Sequence, residues 1–396
     1  MAIPEIDLTS PEFLADPYPT YSRLRENRMP VYLPLEGPTG GMWLVTRYDD
    51  VAAVLKESRI SKEMSRLVPA PPPMALDATM LFKDPPLHSR MRSLANQAFT
   101  PKRIKDLEAR IEQIADALID RVRARGGMEF IADFAMPLPI IVIAEMLGVP
   151  AEERDTFRTW SNDLITGTDM IRGTDERRRK QREAIMSLMA YFGKLIAERR
   201  AEPREDIISA LIEAQEEGGR MTEEELLGTC ILLLVAGHET TVNLFGNGLL
   251  ALLRHPDQFS QLKQQPDLLA SAVEEMLRFE SPVQRGTFRV TAAPVEIGGT
   301  TLGPGEQVSA VLGAANRDSD QFPDANKFDI SRNPNRHLAF GLGIHFCLGS
   351  ALARTEARIG FGRLFDRLPG IRLASEAVEW NPNTLIRGLR ALPLQF

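Results

Sequence analysis

From Thr222 to the His255-Pro256 pair nothing in the sequence stops a helix. Thr222-Glu-Glu-Glu225 opens it with a capping box, in which the Thr222 hydroxyl and the Glu225 carboxylate each answer a free backbone N–H. At 1.5 Å per residue such a helix runs roughly 50 Å, longer than a small domain is wide, so the rest of the chain must be built around it. Its apolar run, Leu226 to Gly237, is interrupted by Gly228 and Thr229 and followed at once by His238 and Glu239. That is too short for the about 20 residues that cross a bilayer, so a buried central helix over about 222-254 is expected. Its middle breaks local rules. Ala236-Gly-His-Glu-Thr-Thr241 puts a glycine, an acid and two adjacent β-branched alcohols inside an apolar segment, each a poor choice for helix stability alone. Such departures mark functional sites.

The surroundings remain mostly helical. From about Pro101 to Pro282 apolar residues recur three and four apart among charged ones, as in Ile104, Leu107, Ile111, Ile114, Leu118 and Val122. Strand signals sit toward the two ends, in Gly41 to Thr46 and in Val295 to Val308, whose Gly-rich centre reads as a hairpin. The expected fold is mainly α with a small β region. With 43% hydrophobic and 26% charged content, 396 residues can bury a sizeable core, which excludes disordered, collagen-like and mini-protein architectures. No repeat and no Ser/Gly linker divides the chain, so residues 1-396 are read as a single domain. The Pro-rich stretch Leu67 to Ala75 is a long loop and a lid candidate.

Charge and cysteine content narrow the function classes. A net charge of −7 offers no overall attraction to nucleic acid. The stretch Met1 to Glu26 has prolines, acids and no apolar run, which predicts neither a signal peptide nor a membrane anchor. Cys230 and Cys347 cannot build a disulfide framework, and so sparing a use suits a reducing cytoplasm.

Cys347 stands in Phe340-Gly-Leu-Gly-Ile-His-Phe-Cys-Leu-Gly349, just before the helical pattern Ser350 to Arg358. Glycines at 341, 343 and 349 permit a tight loop that approaches a flat partner, and a helix N-terminus favours a thiolate through its dipole and free N–H groups. A thiolate is a metal ligand. No CxxC partner or His-x-x-x-His pair supplies the four ligands of a structural zinc, whereas a single sulfur fits heme. The alternative is a buried free cysteine in a Gly-rich turn. On the long helix, Glu239 and Thr240 pair an acid that can relay protons with an alcohol that accepts and donates. The same residues also suit a helix kink, with Thr240 bonded back to a carbonyl one turn earlier. Glu275 and Arg278 lie three apart on one helical face, in surroundings apolar enough for burial, and His88 and Arg92 share another face at i, i+4.

With Phe340-x-x-Gly-x-x-x-Cys-x-Gly349, Ala236-Gly-x-Glu-Thr-Thr241, Glu275-x-x-Arg278, Ala315-Asn-Arg-Asp318 and Asp84-Pro-Pro-x-His-x-x-x-Arg92, the chain resembles the cytochrome P450 family. The similarity covers essentially the whole chain and is closest to the soluble bacterial members. It implies the P450 fold, with Cys347 as axial ligand of heme b iron, Gly237 at the groove for O2, and Glu239 and Thr240 as the catalytic proton relay. His88, Arg92, Arg289 and His345 would pair with the heme propionates, two negative charges that need partners inside a fold. Glu275 and Arg278, completed by Arg332, would hold the scaffold of the heme loop. The substrate pocket would be bounded by the loop Leu67 to Leu81, by Leu232, Val235 and Ala236, by Val283 to Phe288 including Thr287, and by the turn at Thr384, Leu385 and Ile386. Arg285 would meet a carboxylate or point to solvent.

The function so implied is a heme-thiolate monooxygenase that inserts one oxygen atom of O2 into an apolar small molecule, by C–H hydroxylation or epoxidation. Electrons would come from NAD(P)H through a ferredoxin reductase and a ferredoxin. Arg90, Lys102, Arg103, Lys105, Arg354 and Arg358 would give the acidic carrier a basic face, or are ordinary solvated helix faces. The alternatives are a peroxygenase, a non-catalytic heme sensor and an all-α binding module without heme. Against the first, the peroxide-using branch of the family carries an Arg-Pro pair where Glu239-Thr240 stands. Against the second, a sensor needs no acid–alcohol relay. No nucleic acid or membrane partner is expected.

Overall fold

Apolar residues at helical spacing become the inner faces of a bundle that positions everything else. The computed structural model describes residues 6–35, 40–66, 78–150, 153–166, 174–216 and 221–396, so the lid candidate Leu67 to Ala75 lies outside the described residues. Seven helices build the site or support it: α1 (Leu87–Ala98), α2 (Glu108–Arg123), α3 (Pro137–Met146), α4 (Asp175–Ala201), α5 (Glu223–Leu253), α6 (Leu269–Phe279) and α7 (Ser350–Arg367). In α2 the expected stripe Ile111, Ile114, Leu118 and Val122 is buried.

The long central helix is α5, and it runs where the sequence put it. Its capping box is formed at both ends: Glu225 N–H donates to Thr222 Oγ1 (3.2 Å) and Thr222 N–H to Glu225 Oε2 (2.9 Å). α5 packs against α3, α4, α6 and α7, and is buried on most of its circumference. A helix apolar all round is a core helix or a membrane span. By length and composition α5 could cross a bilayer, because the apolar character resumes beyond Glu239 in Val242 to Leu253, which the reading of Leu226 to Gly237 alone missed. Here 67% of its most apolar window is covered by the rest of the protein, which makes it the core helix of this fold.

The β region is small, as expected. β1 (Val31–Pro34) pairs antiparallel with β2 (Gly41–Val45). A hairpin follows later in the chain, β3 (Val295–Ile297) against β4 (Thr300–Leu302), and β5 (Val308–Ala310) then adds parallel to β2, with Trp43 opposite Val308. The hairpin is shorter than the sequence suggested. Gly298 (φ 54°) and Gly299 (φ 75°) supply the two positive φ angles of a tight hairpin turn, but Pro304 and Gly305 then redirect the chain and hand Val308 to the other sheet.

One ion pair ties α6 to the segment that leads into the Cys347 loop. Glu275 and Arg278 are fully buried and doubly bonded, Nε to Oε2 at 2.7 Å and Nη2 to Oε1 at 2.8 Å. A buried pair holds only when its remaining donors and acceptors are satisfied. Arg278 also donates to the carbonyls of Asn316, Ala325 and Lys327, and Glu275 accepts from Asp329 N–H (2.9 Å), Asn335 Nδ2 (3.1 Å) and Arg332 Nε (3.3 Å to Oε2). Arg332 is the third member that the resemblance implied.

Candidate active site

The Cys347 loop is shaped by glycines and backbone bonds. Gly341 (φ 70°) and Gly343 (φ 76°) adopt backbone that L side chains rarely take, and a Cβ on Gly343 would stand 2.7 Å from the Leu55 carbonyl oxygen. Cys347 N–H donates to the Phe340 carbonyl at 2.9 Å, closing the loop across its own length. α7 then begins at Ser350 with Gly349 as its N-cap.

Cys347 faces a cavity roofed by α5. Leu232, Ala236, Gly237 and Thr240 line the α5 side, Phe340, Cys347 and Leu348 the loop side, and Val283 and Thr287 a flank. At the rim stand His88, Arg92, Arg289 and His345, brought together from α1, from the strand segment near Val290 and from the Cys loop. Met80 and Leu81 line the entrance side of the same cavity, the described part of the loop expected there. Gly237 sits where α5 crosses α3: a Cβ there would meet Ile143 Cγ1 at 3.0 Å, so its missing side chain keeps two helices close as well as keeping the cavity open.

Val235, Glu239, the whole Thr384, Leu385 and Ile386 turn, and Gln284, Arg285 and Phe288 of the 283–288 segment are not among the cavity's lining. Val235 is buried in the main core, about 100° around α5 from Ala236. Leu385 instead uses its carbonyl to accept Gln284 N–H at 2.9 Å, docking the 384–386 turn onto the 283–285 segment. Glu239 lies one residue before Thr240 and outside the lining. Arg285 does not point to solvent: it is buried, donating Nε to the Thr384 carbonyl (2.9 Å) and Nη2 to Thr384 Oγ1 (2.6 Å), and so braces the 384–386 turn.

Electrostatics distinguish the three parts of the cavity. Burial alone pushes the Glu239 carboxyl up to about 7. Thr240 Oγ1 donates to the Ala236 carbonyl at 3.1 Å, the back-bond that the kink reading required, which leaves its oxygen to accept from elsewhere. At Cys347 desolvation pushes the thiol up, while the N–H groups of Gly349 and Ser350 at the helix end and the Arg92 and Arg354 guanidiniums favour the thiolate. A bonded metal, not the local field, is what ionises such a thiol outright.

The rim shows what the cavity is made to hold. His88 and His345 rings lie 4.2 Å apart, and His88 Nδ1 and His345 Nε2 are buried without a hydrogen-bond partner. Burial and the neighbouring cations Lys62, His88, Arg289 and Arg92 push His345 down to about 2, and burial holds Arg289 at about 10. Lys62, which the sequence reading missed, is buried behind Thr287 with its ammonium on the Thr287 hydroxyl, 225 residues away in sequence. Nothing local to Lys62 signals that contact. Unpartnered imidazole nitrogens and crowded guanidiniums of this kind are stable beside anions, so the rim fits a flat cofactor carrying two carboxylates, above a lone sulfur.

Fold and site together define a heme-binding oxidoreductase. The profile of the family described as Cytochrome P450 matches residues 20–369. Cytochrome P450 107B1 of Saccharopolyspora erythraea is 43% identical, over 99% of this chain and 98% of that protein. Myxobacterial cytochrome P450 CYP267B1, solved in complex with myristic acid, superposes with a TM-score of 0.93 at 42% identity, covering 100% of this chain and 99% of that one. P450BioI in complex with acyl carrier protein ligated to hexadec-9Z-enoic acid superposes at 0.92 with 41% identity, covering 98% and 100%. The chain belongs to the cytochrome P450 family, whose members bind heme b, and it is a P450 monooxygenase.

The cations expected to greet an electron carrier are partly spoken for. Arg90 pairs with Glu225 (2.5 Å), Arg354 with Glu274 (2.7 Å) and Arg358 with Glu108 (2.7 Å). Among the described residues Lys102, Arg103 and Lys105 form no ion pair with a carboxylate.

Proposed function

We propose that the 396-residue chain works as one catalytic domain that hydroxylates or epoxidises an apolar carbon skeleton, with Cys347 as the axial ligand of heme b. The observation that carries this is one cavity in which Cys347 shares the lining with Ala236, Gly237 and Thr240 of α5, beside the Arg92 and Arg289 guanidiniums and the unpartnered ring nitrogens of His88 and His345. Bound heme supplies the activation of O2 by two electrons, with one oxygen atom going to substrate and the other to water.

The chain's own residues bind, orient and deliver protons. His88, Arg92, Arg289 and His345 hold the two carboxylates, and Lys62 adds charge behind Thr287. Gly237 leaves room beside α5 for a small molecule. Thr240, whose hydroxyl donates to the Ala236 carbonyl at rest, turns from it to pass its proton inward and takes another at Oγ1. Glu239, half protonated near neutral pH at its raised pKa, restores that proton from the solvent side. Leu232, Val283, Met80 and Leu81 exclude water and favour hydrocarbon. The two solved relatives that hold fatty acyl chains support a long apolar substrate, free or carried on a protein.

Electrons reach the site from NAD(P)H through a ferredoxin reductase and a ferredoxin, in the cytoplasm, with Lys102, Arg103 and Lys105 as the part of the basic face open to an acidic carrier. The test is turnover of heme-loaded protein on fatty acids, macrolides, terpenes and steroids, with labelled O2. Product carrying one labelled oxygen, dependent on the electron chain, supports the proposal. Equal rates with hydrogen peroxide alone would favour a peroxygenase, and NAD(P)H-independent ligand binding without product would favour a sensor.

A further inference from the structure

The Glu274 carboxylate, next in sequence to the buried Glu275, makes a second and separate connection. Arg354 on α7 donates to it twice, Nε to Oε1 at 2.7 Å and Nη2 to Oε2 at 2.8 Å. His337, three residues before Phe340, meets the same Oε2 through Nε2 at 3.0 Å. The Arg354 guanidinium lies over the Phe340 ring, 4.4 Å from its centroid, and the Phe340 carbonyl accepts Cys347 N–H. One carboxylate on α6 therefore grips the strand of chain that enters the Cys347 loop and the helix that leaves it.

Ordinary surface pairing does not explain this arrangement. Glu274 and Arg354 side chains are 28% and 37% exposed, a range in which an isolated pair contributes little to folding. His337, by contrast, has a side chain only 3% exposed and also accepts Ala339 N–H at Nδ1 (3.2 Å), so its ring is fixed from both nitrogens. Against burial, which would raise it, the donors Arg354 and His337 hold the Glu274 carboxyl down at about 2, so it is ionised at neutral pH.

We propose that Glu274 is a positioning residue: through Arg354 and His337 it clamps both flanks of the Cys347 loop and keeps the sulfur where iron needs it. The proposal rests on the heme-thiolate reading above. The clamp acts on the loop, while the Glu275–Arg278 pair acts on the fold. Arg354 is thereby assigned to the loop rather than to an electron carrier, and a charge reversal there would disturb the sulfur before it disturbed docking.

The experiment uses heme-loaded full-length protein and the variants E274Q, E274D, R354K and H337Q. It follows the reduced CO complex as its thiolate-type band converts to the blue-shifted thiol-type band, alongside the reduction potential and thermal unfolding. Expected are a several-fold faster conversion in E274Q, an upward shift of potential as the Arg354 charge loses its counter-ion, and an almost unchanged unfolding temperature. E274D should recover part of the wild-type rate, and E274Q combined with R354K should be no worse than either alone. Conversion at the wild-type rate in E274Q, or faster conversion only in proportion to lost thermal stability, overturns the clamp. A wild-type protein that never shows the thiolate-type band removes the heme-thiolate reading itself, and the clamp with it, and is recognised before any variant is made.

Discussion

The two walls of the active-site cavity are built by opposite means. On the Cys347 side the loop hangs from directional polar bonds: the buried Glu275–Arg278 pair with Arg332 and Asn335, and the Glu274 contacts to His337 and Arg354. On the α5 side the wall is a largely apolar core helix held by packing on most of its circumference, with its polar residues nearest the cavity in the run His238 to Thr241. A metal ligand needs its sulfur fixed in distance and angle, which hydrogen bonds and ion pairs supply. An oxygen and substrate pocket needs dry room and one proton path, which packing supplies at lower cost in buried charge.

The comparison can be broken most severely at the polar wall. E275A leaves Arg278 charged and buried with no counter-ion, and is expected to destabilise the fold by about 3–5 kcal/mol, with heme lost in parallel. Urea unfolding checks the first, and retained heme absorbance after gel filtration the second. A loss near 1 kcal/mol or less would mean that the pair is not the pillar described here.

At the apolar wall the effect should fall on chemistry instead. T240A removes a methyl group and a hydroxyl whose bond runs back to Ala236, at a residue that is only partly buried, so stability should change by no more than about 0.5 kcal/mol. NAD(P)H consumption should then outrun product, with the missing electrons recovered as peroxide. Unchanged coupling would remove Thr240 from the proton path.

The pH dependence of stability, an effect confined to one titration, sharpens the role of Glu239. Its folded-state carboxyl sits at about 7 against an ordinary 4.5, so the folded protein holds this proton more tightly than the unfolded chain. Between about pH 4.5 and 7 stability therefore falls as pH rises, and the loss is complete above the folded value. E239Q lacks that titration. Its unfolding temperature should exceed wild type at pH 8 and approach it at pH 5, and a constant difference across that range would show that burial does not raise this group.

What was legible in the sequence divides along the same line. The capping box at Thr222, the rule-breaking Ala236 to Thr241 segment and the glycine-spaced Cys347 loop are local patterns, and each took the form its local chemistry required. His88 and Arg92 reached the cavity because i, i+4 spacing on one helix puts them on one face. Contacts made across long separations left no such trace. Lys62 reaches Thr287, and Arg285 turns to Thr384, through strand pairing and turn docking that no window of sequence contains. At Cys347 the helix N-terminus that favours the thiolate is visible in sequence, whereas the desolvation that opposes it comes from the folded surroundings and is not.

The central claim is that Cys347 is the thiolate ligand of a monooxygenase heme, and the reduced CO spectrum of wild type and C347H tests it most directly. The wild type should show the red-shifted thiolate band, and C347H should retain heme, lose that band and lose oxygen insertion. A thiolate band or normal turnover in C347H would contradict the account.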